Sequence, residues 1–101
     1  MIVEYIRYAL TDHDGPALEE AYGRAQAHLR ADPHAQGWEL SRCAEDDRRY
    51  VLRIEWDSAE GHMEGFRKGP NFPPFLQEIR PFVGEIEEMR HYVVTAVSSA
   101  A

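Results

Sequence analysis

Trp56 and His62 stand six positions apart, one at the end of an apolar segment and one inside the next, and both carry proton-handling groups. An imidazole changes charge near neutral pH, so His62, set between Ala59 and Phe66, is a candidate general base for a phenolic or enolisable substrate. The competing reading is a core histidine satisfied by a backbone carbonyl. An indole offers one N–H donor on an apolar body, which suits Trp56 either to orient a substrate oxygen or simply to anchor the core. His91, flanked by Met89 and Val93, faces either the same pocket or a subunit seam. Phe66, Phe72, Phe75 and Leu76 are core residues first, and they also supply the wall of any pocket between helices and sheet.

The remaining polar residues fall into plainer roles. Arg7, Arg53 and Arg90 are strand arginines expected to pair with Glu4, Glu55 or Glu88, with stabilisation of an oxyanion as the alternative. Tyr5, Tyr8, Tyr50 and Tyr92 are expected to pack the sheet, and His13, His28 and His34 to be solvated. The one cysteine, Cys43, has no partner for an internal disulfide, and no Cys/His cluster has zinc spacing. No metal site is therefore expected, and a reducing cytoplasm fits. With 11 Lys and Arg against 18 Asp and Glu and no basic block, nucleic acid is not an expected partner. A glycine-rich phosphate loop is missing, so no nucleotide, flavin or NAD cofactor is suggested. No long apolar run suggests a membrane span, and Met1 to Leu10, which carries Glu4 and Arg7, does not read as a signal peptide.

The elements that must position these groups follow from periodicity. Ile2 to Leu10 is a strand with Ile2, Glu4, Ile6, Tyr8 and Leu10 on one face and Val3, Tyr5, Arg7 and Ala9 on the other. Asp14 caps a helix opened by Gly15-Pro16, whose Leu18, Ala21, Tyr22, Ala25 and Leu29 form an apolar stripe that ends before Asp32-Pro33. Gly37 to Ala44 and Arg49 to Trp56 are strands joined by a charged hairpin turn. Asp57 with Glu60 resembles a capping box for a helix carrying Ala59, His62, Met63 and Phe66 on one face. After Gly69-Pro70, Asn71 caps a further helix with Pro73-Pro74 in its first turn, and Gly84 closes it. Ile86 to Ala96 is the last strand. Residues 1–96 are expected to form one domain and 97–101 a frayed tail.

The order β-α-β-β-α-β is the split pattern of an α+β, ferredoxin-like fold with a four-stranded antiparallel sheet and both helical segments on one face. Each strand carries Ile, Val, Tyr, Met or Trp on both sides, and nothing in 101 residues is left to cover the second face. A homodimer packed sheet against sheet, a dimeric α+β barrel, is the expected answer.

The run Leu52-Arg53-Ile54-Glu55-Trp56-Asp57-Ser58-Ala59-Glu60-Gly61-His62 resembles the antibiotic biosynthesis monooxygenase family, as do Phe66, Asn71-Phe72, Phe75 and Glu88-Met89-Arg90-His91-Tyr92. Members of that family oxidise electron-rich phenols, anthrones or quinols with O₂ and without metal or flavin. The resemblance implies Trp56 as the pocket tryptophan. It places Leu52 where the polyketide-oxidising members have an asparagine, and His62 where they have a tyrosine. Leu52, Phe66, Phe72, Phe75, Leu76 and His91 would then contact an aromatic substrate, with His62 and Trp56 doing the chemistry. The haem-degrading branch needs a proximal histidine where this chain has Leu76, so haem is not implied. The alternative is a non-catalytic dimeric module that binds a small molecule or supports a partner enzyme.

Overall fold

A computed structural model describes residues 1–99. The chain runs β1 (Ile2–Ala9), α1 (Gly15–Arg30), β2 (Ala35–Arg42), β3 (Arg49–Trp56), a π-helical turn (Gly61–Phe66), α2 (Phe72–Ile79), a 3-10 turn (Arg80–Glu85) and β4 (Ile86–Val93). The sheet is antiparallel with strand order β2-β3-β1-β4, the ferredoxin-like arrangement expected from the element order. The last strand ends at Val93 rather than Ala96, and β2 begins and ends two residues earlier than expected. Of the expected tail, Ala100 and Ala101 lie outside the described residues.

The helix stripe and the strand alternation meet as their periods require. Leu18, Ala21, Tyr22, Ala25 and Leu29 of α1 and Phe75 and Ile79 of α2 bury against Ile6, Tyr8, Leu52, Ile54 and Trp56 of the sheet. Each fully buried large apolar side chain contributes about 1.5–3 kcal/mol. Asp14 caps α1 as expected, its carboxylate accepting from the Ala17 N–H at 2.9 Å. Asn71 does not cap α2 with its side chain; its amide donates instead to Asp32 at 3.3 Å.

The other face of the sheet corrects one premise. Every Ile, Met and Trp within the strands lies on the helix side, as the registers Ile6↔Met89, Tyr8↔Ile86 and Trp38↔Ile54 show. The outer face carries Val3, Tyr5, Val51 and Tyr92 among charges that pair within the chain. Arg53 meets Glu55 at 2.8 Å along its own strand, and Arg7 meets Glu88 at 3.7 Å. It is a mixed face rather than a broad apolar one.

His13 is not simply solvated. Its Nδ1 meets Glu85 at the end of the 3-10 turn, and its ring lies 4.6 Å from Phe82. The other Glu85 oxygen accepts the backbone N–H groups of Thr11, Asp12 and His13 at 2.7, 2.9 and 3.2 Å. One buried carboxylate thus ties the β1–α1 loop to the start of β4. Burial pushes its pKa up, but the hydrogen bonds from His13 and the three N–H groups outweigh that and hold it at about 2.

Because the folded pKa lies below the unfolded value, this stability is present above about pH 4.5 and drains away as pH falls toward 2. Glu85→Gln should cost about 1–3 kcal/mol in urea melts at pH 7, and the gap from wild type should narrow at pH 3. A gap that stays constant with pH would show that the carboxylate charge is not what holds the loop.

Candidate active site

Glu4, expected to pair with a strand arginine, lies elsewhere. It shares the apolar face of β1 with Ile2, Ile6 and Tyr8, and the fold buries it to 2% exposure. It pairs with none of the strand arginines. Its Oε1 accepts the indole N–H of Trp56 at 3.1 Å and lies 3.6 Å from Nε2 of His62. The register sets His91 of β4 directly opposite Glu4. Four polar groups from β1, β3, β4 and the π-helical turn therefore converge.

His62 is held by the turn that follows β3. Ser58, not Asp57, caps that turn, its Oγ accepting the Gly61 N–H at 2.8 Å. The Asp57 carboxylate instead binds Nδ1 of His34 at 2.8 Å, so His34 is also paired rather than free. This hydrogen bond raises the His34 pKa and lowers that of Asp57. The pair lies tight against two glycines of the turn. A Cβ at Gly61 would come within 2.0 Å of Asp57 Oδ1, and one at Gly65 within 2.4 Å of the His34 ring. The π winding, a feature common at functional sites, buries His62 and Phe66 together and leaves Met63 exposed, unlike the single helical face expected.

The His62 ring stacks on Trp56 with centroids 4.4 Å apart and an 18° interplanar angle. Its Nδ1 meets Nε2 of His91 at 2.6 Å. His62 is 3% exposed, whereas His91 stands in solvent on the edge strand. Burial, then the charges of His91 and Arg67, push the His62 pKa down to about 4. It is therefore not a base poised near neutrality, as its residue type suggested. Burial raises the Glu4 pKa, opposed in part by the Trp56 N–H and by Arg67. Both shifts favour the uncharged forms.

These groups line a cavity of about 210 Å³ between sheet, π-helical turn and α2. Trp56, His62 and Glu4 stand at one end, and Phe66, Phe72, Phe75 and Leu76 form the wall, with Arg67 lying 4.7 Å over the Phe72 ring. His91 adjoins the cavity through His62. Leu52 is elsewhere: it lines a separate cleft of about 270 Å³ under α1 with Glu19, Gln26 and Trp38. That cleft is roomier but holds no converging titratable cluster. The Trp56 N–H, expected to face substrate, is engaged by Glu4. The signal for Glu4 lay in the alternation itself, a lone carboxylate on an otherwise apolar strand face. Arg67 gave none.

The antibiotic biosynthesis monooxygenase family model matches residues 1–78. An uncharacterized Bacillus subtilis protein, YczJ, is 27% identical over 93 residues, covering 86% of this chain and 96% of that protein. Among solved structures, a Bordetella bronchiseptica protein of the same family description superposes with a TM-score of 0.81 at 20% identity, covering 93% of this chain and 96% of that one. SnoaB from Streptomyces nogalater, a cofactor-independent oxygenase, gives 0.74 at 18% identity over 98% of this chain and 95% of its own.

The depressed His62 pKa has a consequence for stability. Between about pH 6.5 and 4 the unfolded chain binds a proton at His62 that the folded chain does not, so stability rises with pH across that window. Wild type should lose up to about 3 kcal/mol relative to His62→Gln as pH falls through it, measured by paired chemical melts at pH 7 and 4.5. Parallel curves would show that His62 is not held neutral.

The family model matches more than two thirds of the sequence, and the fold agrees with it: the chain belongs to the antibiotic biosynthesis monooxygenase family.

Proposed function

We propose that this protein is a cofactor-independent monooxygenase acting on an electron-rich aromatic or enolisable small molecule of quinol or anthrone type. The observation that carries the reading is a neutral imidazole set at the end of an aromatic-walled cavity of about 210 Å³ and linked by one hydrogen bond to an exposed histidine. The cavity suits a flat aromatic ligand, and Phe66, Phe72, Phe75 and Leu76 hold it near His62. His62 takes the substrate proton on Nε2 and passes its other proton from Nδ1 to His91, which delivers it to water. The substrate anion gives an electron to O₂, and radical recombination forms a peroxide anion. A proton returned from water through His91 and His62 makes it a hydroperoxide, and loss of water leaves the carbonyl of a quinone. Trp56 acts through its ring and through Glu4 rather than by donating directly.

Two observations favour the alternative, a non-catalytic binding or accessory module: the Trp56 N–H is already engaged, and His62 is a weak base. Oxygen uptake by metal-stripped protein with a panel of anthrones and hydroquinones separates the readings. His62→Ala should lower the rate roughly 10²-fold or more, and His91→Ala should lower it less. The acid limb of kcat/KM should fall near pH 4, where His62 protonates, rather than near 6.5. No uptake with any substrate would favour the binding module.

We further propose a homodimer formed through the outer sheet face, working in a reducing cytoplasm where Cys43 stays a thiol. Tyr5 and Tyr92 stack edge to face at 5.3 Å on that face and, with Val51, give it an apolar centre ringed by charges. Light scattering should give twice the chain mass, and Val51→Asp should shift it to monomer. A wild-type monomer at micromolar concentration would remove the dimer.

A further inference from the structure

Glu4, His62 and His91 come from β1, the π-helical turn and β4, yet one donor atom from each lies within 4.8 Å of the other two. We propose that these three side chains form a binding site for a divalent transition-metal ion, and that an ion bound there withdraws His62 from proton transfer. The first half stands alone; the second rests on the oxygenase reading.

Two imidazoles and one carboxylate are a donor set for Zn²⁺, Co²⁺, Ni²⁺ or Fe²⁺ rather than for Ca²⁺ or Mg²⁺, which favour oxygen ligands. Ligand atoms bound tetrahedrally at about 2.0–2.2 Å sit roughly 3.3–3.6 Å from one another. Only one ring nitrogen of His62 can bind an ion. Nε2 lies 3.6 Å from Glu4 Oε1, at that spacing, whereas the 2.6 Å contact to His91 runs through Nδ1. His91 must therefore close in from within the 4.8 Å that spans the three donors. His91 is exposed on an edge strand, so it can adjust and an ion can reach it.

The other two ligands are already held. The Trp56 indole fixes Oε1 of Glu4 at 3.1 Å, and the Trp56 ring fixes the plane of His62. Such outer partners orient ligands and set affinity. Three protein ligands leave coordination positions open, and two of the three, Glu4 and His62, line the aromatic cavity. The charge opposing an ion is Arg67, which lies within electrostatic reach of both Glu4 and His62. Its guanidinium limits affinity without blocking the donors. The His34–Asp57 and His13–Glu85 pairs have no third ligand, and among the described residues this is the one group of three.

The test is titration of metal-stripped protein with Co²⁺, read by its visible absorption, and with Zn²⁺, read by calorimetry, both without substrate. One ion per chain should bind. Glu4→Gln and His91→Ala should each weaken binding at least tenfold, Arg67→Gln should tighten it, and His28→Ala should leave it unchanged. His91→Ala alters an exposed side chain, so it keeps the test decisive if a buried variant fails to fold. No saturable binding, or binding indifferent to His91→Ala, overturns the site. Stoichiometric Zn²⁺ should also suppress oxygen uptake; full activity with zinc bound overturns the second half. Saturable Co²⁺ binding by a protein that oxidises nothing would uphold the site while the oxygenase reading fails.

Discussion

A carboxylate on the apolar side of a sheet costs several kcal/mol unless it is hydrogen-bonded or neutralised, and Glu4 imposes that constraint on everything around it. Its partners are fixed by strand register. Ile2 pairs with Trp56 on one side, and Glu4 itself pairs with His91 on the other. A slip of one residue in either pairing would turn Trp56 or His91 to the outer face and leave Glu4 buried without them. The polar cluster and the sheet registers therefore select one another. The apolar residues alone specify the same registers, because Ile6, Ile54 and Met89 share the side that the helices cover.

The strands do not carry His62. It depends on the π-helical turn, and the shape of that turn depends on contacts from behind. His34 and Asp57 close over Gly61 and Gly65 at distances no Cβ would permit, so the turn lies flat against the end of β3. That places the His62 ring against Trp56. The histidine with the most chemistry to do is thus positioned by one that carries no chemistry, joined to it through two glycines and a salt bridge.

The fold was legible because its signals are local. The strand alternation at residues 2–10, the Asp14 cap and the Pro73-Pro74 first turn each name an element without reference to the rest. The aromatic side of α2 was legible too, since Phe72, Phe75 and Leu76 follow helical spacing, whereas Phe66 comes from the preceding turn. The rest depends on tertiary distances. Leu52 was assigned to the pocket by its place before Trp56, but even-numbered residues of β3 share a face along its whole length, and α1 covers one end while α2 covers the other. Glu4 was visible as an exception to its face, yet the strand arginines offered a more ordinary partner. Each of those arginines points to the outer side. The depressed pKa of His62 comes from burial, which residue type alone does not set.

The electrostatics of the cavity bear on how a weak base can work there. Burial drives Glu4 and His62 toward their neutral forms, and the same exclusion of water makes any isolated charge expensive. An imidazolium formed alone would be disfavoured. In the proposed reaction, deprotonating a bound phenol would create the imidazolium and a substrate anion together, in contact, where their attraction is strong because the surroundings are apolar. On that proposal the pair would have two exits: His91 to carry the proton to solvent, and O₂ to take the electron. A base of low pKa would thus suit an ion-paired transition state better than its free-protein value suggests, and Arg67 adds a cation to the wall of the same cavity.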